Sequence, residues 1–209
     1  MSTNAIKMGI TTSKEYDRPR QFNEFWPHLL LEQEFVKKPY LKDISKVILR
    51  FDGKLNSSEL RMSQVEYNKG LHAAQFQLFL TIQNRNTKSA YYGDFLWFGV
   101  PFYDNRYTVI PLYAAQDAAK GDASGKFIYS ISSADVSKTS FQSKQRISVA
   151  IDIYPHIVKA IELAKTRGYL TGSFFDEFQI SGMNIGWEIP GTFDVEFEYE
   201  NFDIQVVTK

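Results

Sequence analysis

The feature that most constrains this chain is an alternation of apolar and other side chains with a period of two, repeated along most of its length. In residues 75–82, Phe76, Leu78, Leu80 and Ile82 alternate with Gln75, Gln77, Phe79 and Thr81. In residues 192–200, Phe193, Val195, Phe197 and Tyr199 alternate with Asp194, Glu196, Glu198 and Glu200. Successive side chains of a strand point to opposite faces, whereas an amphipathic helix needs a period of 3.6, so these segments are strands with one face turned to a core. The same reading applies to residues 25–35, 44–55, 91–103, 108–113, 126–132, 146–153, 178–189 and 202–207. Residues 25–35 carry apolar groups on both faces and read as an inner strand. Asp52-Gly53 reads as the turn that closes 44–55. Pro101 cannot donate to a ladder, so it marks an edge or a bulge.

Only residues 155–167 have helical spacing. Pro155 suits a first turn, Ile157, Val158, Ile161 and Ala164 share one face, and Gly168 stands at the stop. Strands separated by short turns, without alternating strand and helix, predict a mostly β fold: an antiparallel jelly-roll sandwich with one helix in its C-terminal half. Residues 1–22, with Asp17-Arg18-Pro19-Arg20, read as an N-terminal arm, and residues 23–209 as a single sandwich domain. A length of 209 residues fits one such domain. The 17 Phe and 12 Tyr suit half-buried pleated surfaces.

Composition narrows the function. Lys and Arg number 24, and Asp and Glu also number 24, which leaves no basic field for nucleic acid or an anionic membrane. The chain has no cysteine, which excludes disulfides, thiolate catalysis and cysteine-held zinc. Residues 1–12 lack the apolar run of a signal peptide, and no stretch approaches the roughly 18 apolar residues of a membrane span. The chain therefore reads as soluble, either cytoplasmic or extracellular after removal of a leader. Oligomeric state is left open by the sequence.

Several chemistries lack their residues. Gly121-Asp122-Ala123-Ser124-Gly125-Lys126 is too short for a phosphate loop and is not followed by Ser or Thr. His28, His72 and His156 form no zinc-binding spacing, and no Gly-x-Ser-x-Gly elbow occurs. What remains is polar groups set among aromatics: Trp26, His28 and Glu32 on one early strand; Trp97 with Tyr103, Asp104 and Arg106; and Trp187 with Glu188. Arg50 is a further outward candidate. Sugars present apolar C–H faces edged by hydroxyls, so a saccharide site needs an aromatic platform with fixed donors and acceptors. Each tryptophan taken alone is better explained by packing, His28 by a structural role and Arg50 by solvation.

Asp194, Glu196, Glu198 and Glu200 share one strand face, with alternate carboxyls roughly 6.5–7 Å apart, a spacing that glycoside hydrolysis can use. Solvation and protection of an outer strand is the more ordinary role of such a row. The run Glu196, Glu198, Glu200 resembles the Glu-x-Asp-x-Glu strand of concanavalin-like jelly-roll glucanases, with Glu in place of the central Asp. Gly182-Met183-Asn184-Ile185-Gly186-Trp187-Glu188-Ile189-Pro190-Gly191, followed by two alternating strands, is similar to the closing strands of concanavalin-like and galactose-binding-like modules of carbohydrate-active proteins. The resemblance implies a concave sheet that binds a glycan, no organic cofactor, and in some members a structural calcium ion, although this chain shows no calcium loop. The leading expectation is a non-catalytic carbohydrate-binding module using Trp26, His28, Glu32, Arg50, Trp97, Tyr103, Asp104, Arg106, Trp187 and Glu188. A glycoside hydrolase or polysaccharide lyase of the same fold, and a structural or assembly protein, are the alternatives.

Overall fold

A computed structural model describes residues 5–118 and 121–209. The strands are β1 (Ile6–Thr11), β2 (His28–Glu34), β3 (Ile44–Leu60), β4 (Gln75–Asn84), β5 (Phe95–Asp104), β6 (Tyr113–Gln116), β7 (Phe127–Ser130), β8 (Ile147–Asp152), β9 (Phe178–Glu188) and β10 (Phe193–Thr208). They form a four-stranded sheet, ordered β1-β10-β3-β8, and a six-stranded sheet, ordered β2-β9-β4-β5-β7-β6. Every pairing is antiparallel except β5 with β7. The expected mostly β sandwich is what the chain builds.

The alternation sets the layers. Phe76, Leu78, Leu80 and Ile82 of β4, Ile185 and Trp187 of β9, and Phe51, Phe197 and Tyr199 of the other sheet are buried together. Aromatic rings join the two sheets: Phe76 stacks on Phe197 at 4.2 Å between centroids, and Phe51 on Phe102 at 4.0 Å. Such contacts add about 0.5–1.5 kcal/mol each to the area they bury.

Gly53 corrects the expected turn at Asp52-Gly53. β3 runs straight through it, and a Cβ there would lie 2.3 Å from the Phe51 ring and 2.8 Å from that of Phe197. The glycine leaves room for aromatic rings within a strand. Pro101 does mark an irregularity, since the β4–β5 register shifts between Phe76 and Gln77, opposite Tyr103 and Pro101, in a strand that is central rather than at an edge. The expected inner strand at 25–35 is corrected as well: β2 is an edge strand, paired only with β9 among the described strands. Residues 192–200 and 202–207 form one long strand, β10, with an irregularity between Glu200 and Asp203 and with Asn201 at φ 52°.

The described residues include three α-helices: α1 (Thr12–Glu15), α2 (Ser133–Val136) and α3 (Tyr154–Thr166). The third is the predicted helix. It buries Ile157, Ala160, Ile161 and Ala164, and Gly168 follows it at φ +85°, a conformation glycine adopts without strain. No helix among the described residues is long and apolar enough to cross a membrane. Of the expected arm, residues 6–11 are strand β1, paired with β10, and residues 1–4 lie outside the described residues.

Candidate functional site

The outward face of the six-stranded sheet is fixed by strand register. Where Phe76 and Trp187 point inward, their neighbours Gln75 and Glu188 point outward and lie directly opposite one another, with His28 beyond Glu188 on β2 and Asp104 beyond Gln75 on β5. One row of four strands therefore carries His28, Glu188, Gln75 and Asp104. His28 Nε2 is 3.5 Å from Glu188 Oε1, and Gln77 Nε2 donates to Glu188 Oε2 at 3.5 Å. Gln75 Nε2 donates to Asp104 Oδ2 at 3.0 Å.

Asp104 is almost wholly buried and clamped by Arg106, whose Nε and Nη2 donate to its two carboxylate oxygens at 2.9 and 2.6 Å. Burial alone would lower the Arg106 pKa, but the bonds and charge of Asp104 outweigh it and push the guanidinium above its usual value. The Arg106 backbone N–H also donates to Asp104 Oδ1, which makes Asp104-Asn105-Arg106 the turn its composition predicts. Asn105 reinforces it by accepting from the Ala74 N–H at 2.7 Å.

Farther along the same face the lining becomes aromatic. Trp97 meets Phe95 edge-to-face at 5.1 Å and Phe79 at 6.2 Å. Gly99 permits this, because a Cβ there would lie 2.1 Å from Ser130 Oγ and 2.8 Å from the Phe79 ring. All three aromatics are half-buried.

The structure divides the sequence candidates. His28, Glu32, Trp97, Asp104, Arg106 and Glu188 belong to this face or its rim. Trp26 lies just before β2, half-buried, and its indole N–H is buried with no hydrogen-bond partner among the described residues. Trp187 and Tyr103 are corrected to core residues. Trp187 is fully buried with its indole N–H bonded to the Met8 carbonyl at 2.9 Å, and Tyr103 packs edge-to-face against it at 5.9 Å, which denies both to a stacking sugar. Burial also pushes the Tyr103 hydroxyl above its usual pKa. Arg50 is corrected to the outside of the other sheet, where it pairs with Asp203 at 3.2 Å and Gln205 at 3.0 Å.

The carboxylate row of β10 also lies on that other sheet, and its members are held by neighbours. Asp194 is bound by Ser13 and Arg61, Glu196 by Asn56, Glu198 by Lys7 and Arg146, and Glu200 by Arg146. Partial burial pushes the Asp194 and Glu198 pKa values up, but these donors outweigh it and hold both below the usual carboxylate range. Gln75, Gln77, Phe79 and Phe95 are site residues that sequence reasoning passed over. Their signal was the alternation itself, since whatever lies between Phe76, Leu78 and Leu80 must face outward. Among the described residues no group of three or more His, Asp or Glu is placed to hold a metal ion.

The architecture is that of a jelly-roll β-sandwich, and solved structures with a similar fold include family 12 glycoside hydrolases. The endoglucanase Cel12A from Rhodothermus marinus superimposes with a TM-score of 0.53 at 10% identity, over 99% of this chain and 83% of that one. The family 12 xyloglucanase from Bacillus licheniformis gives a TM-score of 0.48 at 12% identity, over 91% of this chain and 79% of that one. No family model matches the sequence, and no curated protein matches it. A likeness at this identity speaks for the fold, so the chemistry rests on the side chains described above.

Proposed function

We propose that the outer face of the six-stranded sheet binds a carbohydrate. The observation that carries the reading is the meeting, on one rigid face, of an aromatic group (Phe79, Phe95, Trp97) with a polar row (His28, Glu188, Gln77, Gln75, Asp104, Arg106). Aromatic rings supply the surface on which a pyranose C–H face packs, and the row supplies acceptors at Glu188 and donors at Gln75, Gln77 and Arg106 for hydroxyls. The jelly-roll fold supports a glucan as the first ligand to try, because its solved likeness from R. marinus is an endoglucanase. Calorimetric titration with cellohexaose tests this. Binding that falls at least tenfold in Trp97→Ala and in Glu188→Gln is expected, and a flat response to cellohexaose and to other neutral oligosaccharides sinks the proposal.

Hydrolysis is the second reading. Glu188 and Asp104 stand in one row, two strand spacings or ~9.5 Å apart at Cα, a separation of the order that inverting glycosidases use between carboxyls. Against it stands the Arg106 clamp, which leaves Asp104 buried and engaged by a guanidinium instead of aimed at a water. Release of reducing ends from a soluble β-glucan, abolished in Glu188→Gln, is the result that would establish catalysis.

A further inference from the structure

Two segments meet above the proposed binding face. The first is a finger of residues 20–27 with both feet on the end of β9: the Arg20 N–H donates to the Pro190 carbonyl at 2.8 Å, and the Ile189 N–H to that of Pro27 at 2.9 Å. His72 fixes the foot at Arg20. Its Nδ1 accepts from the Asn68 N–H, so the ring proton is on Nε2, which donates to the Arg20 carbonyl at 3.0 Å. The turn of the finger is stapled by Arg18, whose two terminal nitrogens reach the Glu24 carboxylate at 2.9 and 2.7 Å, while Glu24 also accepts from the Gln21 N–H at 2.7 Å.

The second segment is residues 121–126, which lead into β7. Its Ser124 Oγ accepts from the Trp97 indole at 3.0 Å, which lays this connection on the outer face, and Asp117 accepts from the Ser124 N–H and hydroxyl at 2.7 and 2.8 Å. Gly121 touches the finger. Its N–H donates to the Glu24 carbonyl at 3.1 Å, and a Cβ on it would lie 2.9 Å from the Asn23 carbonyl oxygen.

Reach shows where this contact lies. His28 and Phe127 occupy opposite corners of the sheet, four strand positions apart and at opposite ends of β5, which on a flat sheet is a diagonal on the order of 30 Å. The chain from His28 back to Glu24 and from Gly121 on to Phe127 spans at most roughly 35 Å when fully extended. The route is therefore nearly direct. The inner face is filled by the core, so the route crosses the outer one.

We infer that this bridge restricts the face to short saccharides and chain termini, and that the interior of a long polysaccharide is excluded. The inference rests on the carbohydrate reading above. An internal stretch of polymer must be laid onto an open face from the side, and the bridge crosses that face corner to corner. The corners of the face off this diagonal, at Glu32, Asn184 and Thr81 on one side and at Gln75 on the other, are where an end would enter.

The test is the stoichiometry with which the whole chain binds a long soluble β-glucan, compared with its affinity for cellohexaose. One protein per chain end, with cellohexaose bound, is expected; many proteins per chain overturns the inference while leaving carbohydrate binding intact. Absence of cellohexaose binding removes the carbohydrate reading and this inference with it. Gly121→Val, whose side chain must displace Asn23, and Arg18→Ala, which frees the turn at the protein surface, should each raise the number bound per chain severalfold and alter cellohexaose affinity less than threefold. Faster hydrogen exchange at residue 121 verifies that the bridge has opened. If it has opened and the stoichiometry stays at one per end, the bridge is not what selects ends.

Discussion

The two outward faces of this sandwich come from the same alternation and differ in how their polar groups are answered. On the four-stranded sheet, the carboxylates of Asp194, Glu196, Glu198 and Glu200 meet Ser, Asn, Lys and Arg side chains of adjacent strands and loops, in contacts open to water. On the six-stranded sheet, one carboxylate is buried under a guanidinium, and aromatic rings lie beside the polar row. A row of carboxylates each answered by a neighbour has little left for a ligand, and the half-buried rings beside the polar row are why we propose the six-stranded face as the binding one.

The largest effect expected from this contrast is on stability. Arg106→Ala leaves Asp104 buried without its guanidinium and should cost about 3–5 kcal/mol, while Arg61→Ala, which frees the more exposed Asp194, should cost less than about 1 kcal/mol. Urea unfolding of the two variants makes the comparison, and equal losses would erase the distinction between the faces. Next is Trp97→Ala. Removing a half-buried outer ring should lower cellohexaose affinity at least tenfold, whereas Trp187→Ala should destabilise the fold by about 3–5 kcal/mol because that ring is sealed in the core.

Acid should loosen the finger. The bonds from Arg18, and then from the Gln21 N–H, hold the Glu24 pKa at about 2, well below its usual 4.5. A value lower in the folded state than in the unfolded one stabilises above the unfolded value and is lost as the carboxylate protonates. The bridge should thus be intact above about pH 4.5 and weaken as pH falls toward 2, with exchange at Gly121 as the readout. Arg18→Ala should remove the larger part of that dependence and leave the part due to the Gln21 N–H. Asp194 and Glu198 add acid sensitivity of the same sign on the other sheet, and the variant leaves theirs in place. The smallest effect is Glu198→Gln, expected to leave cellohexaose binding unchanged and to shift stability by about 0.5 kcal/mol.

Much of the sandwich was legible because period two is a local property. Phe76 to Ile82 and Phe193 to Tyr199 announce which side chains go inside without knowledge of any partner strand. Trp187 shows the same signal overlooked: it shares parity with Met183 and Ile185, which marks it as core, while Glu188 beside it points out. Pairing was not legible, since it depends on residues far apart in sequence. β2 looked interior from its apolar residues but is an edge, and Gly53 looked like a turn because the Phe197 ring that requires its hydrogen is 144 positions away. The row of His28, Glu188, Gln75 and Asp104 joins four strands whose residues are spread over 160 positions, which no short motif can record.

The one parallel pairing among the described strands has a topological consequence. Because β7 runs in the same direction as β5, the polypeptide leaving Asp104 must travel back to the level of Leu96 before it can pair again, and the hairpin made on that return points its tip toward the Phe95 end. An antiparallel neighbour would have put the tip at the Asp104 end, beside the feet of the finger, so that the contact with Glu24 would follow one end of the sheet instead of crossing its face. Which corner of the molecule is sheltered is thus decided by the direction of a four-residue strand.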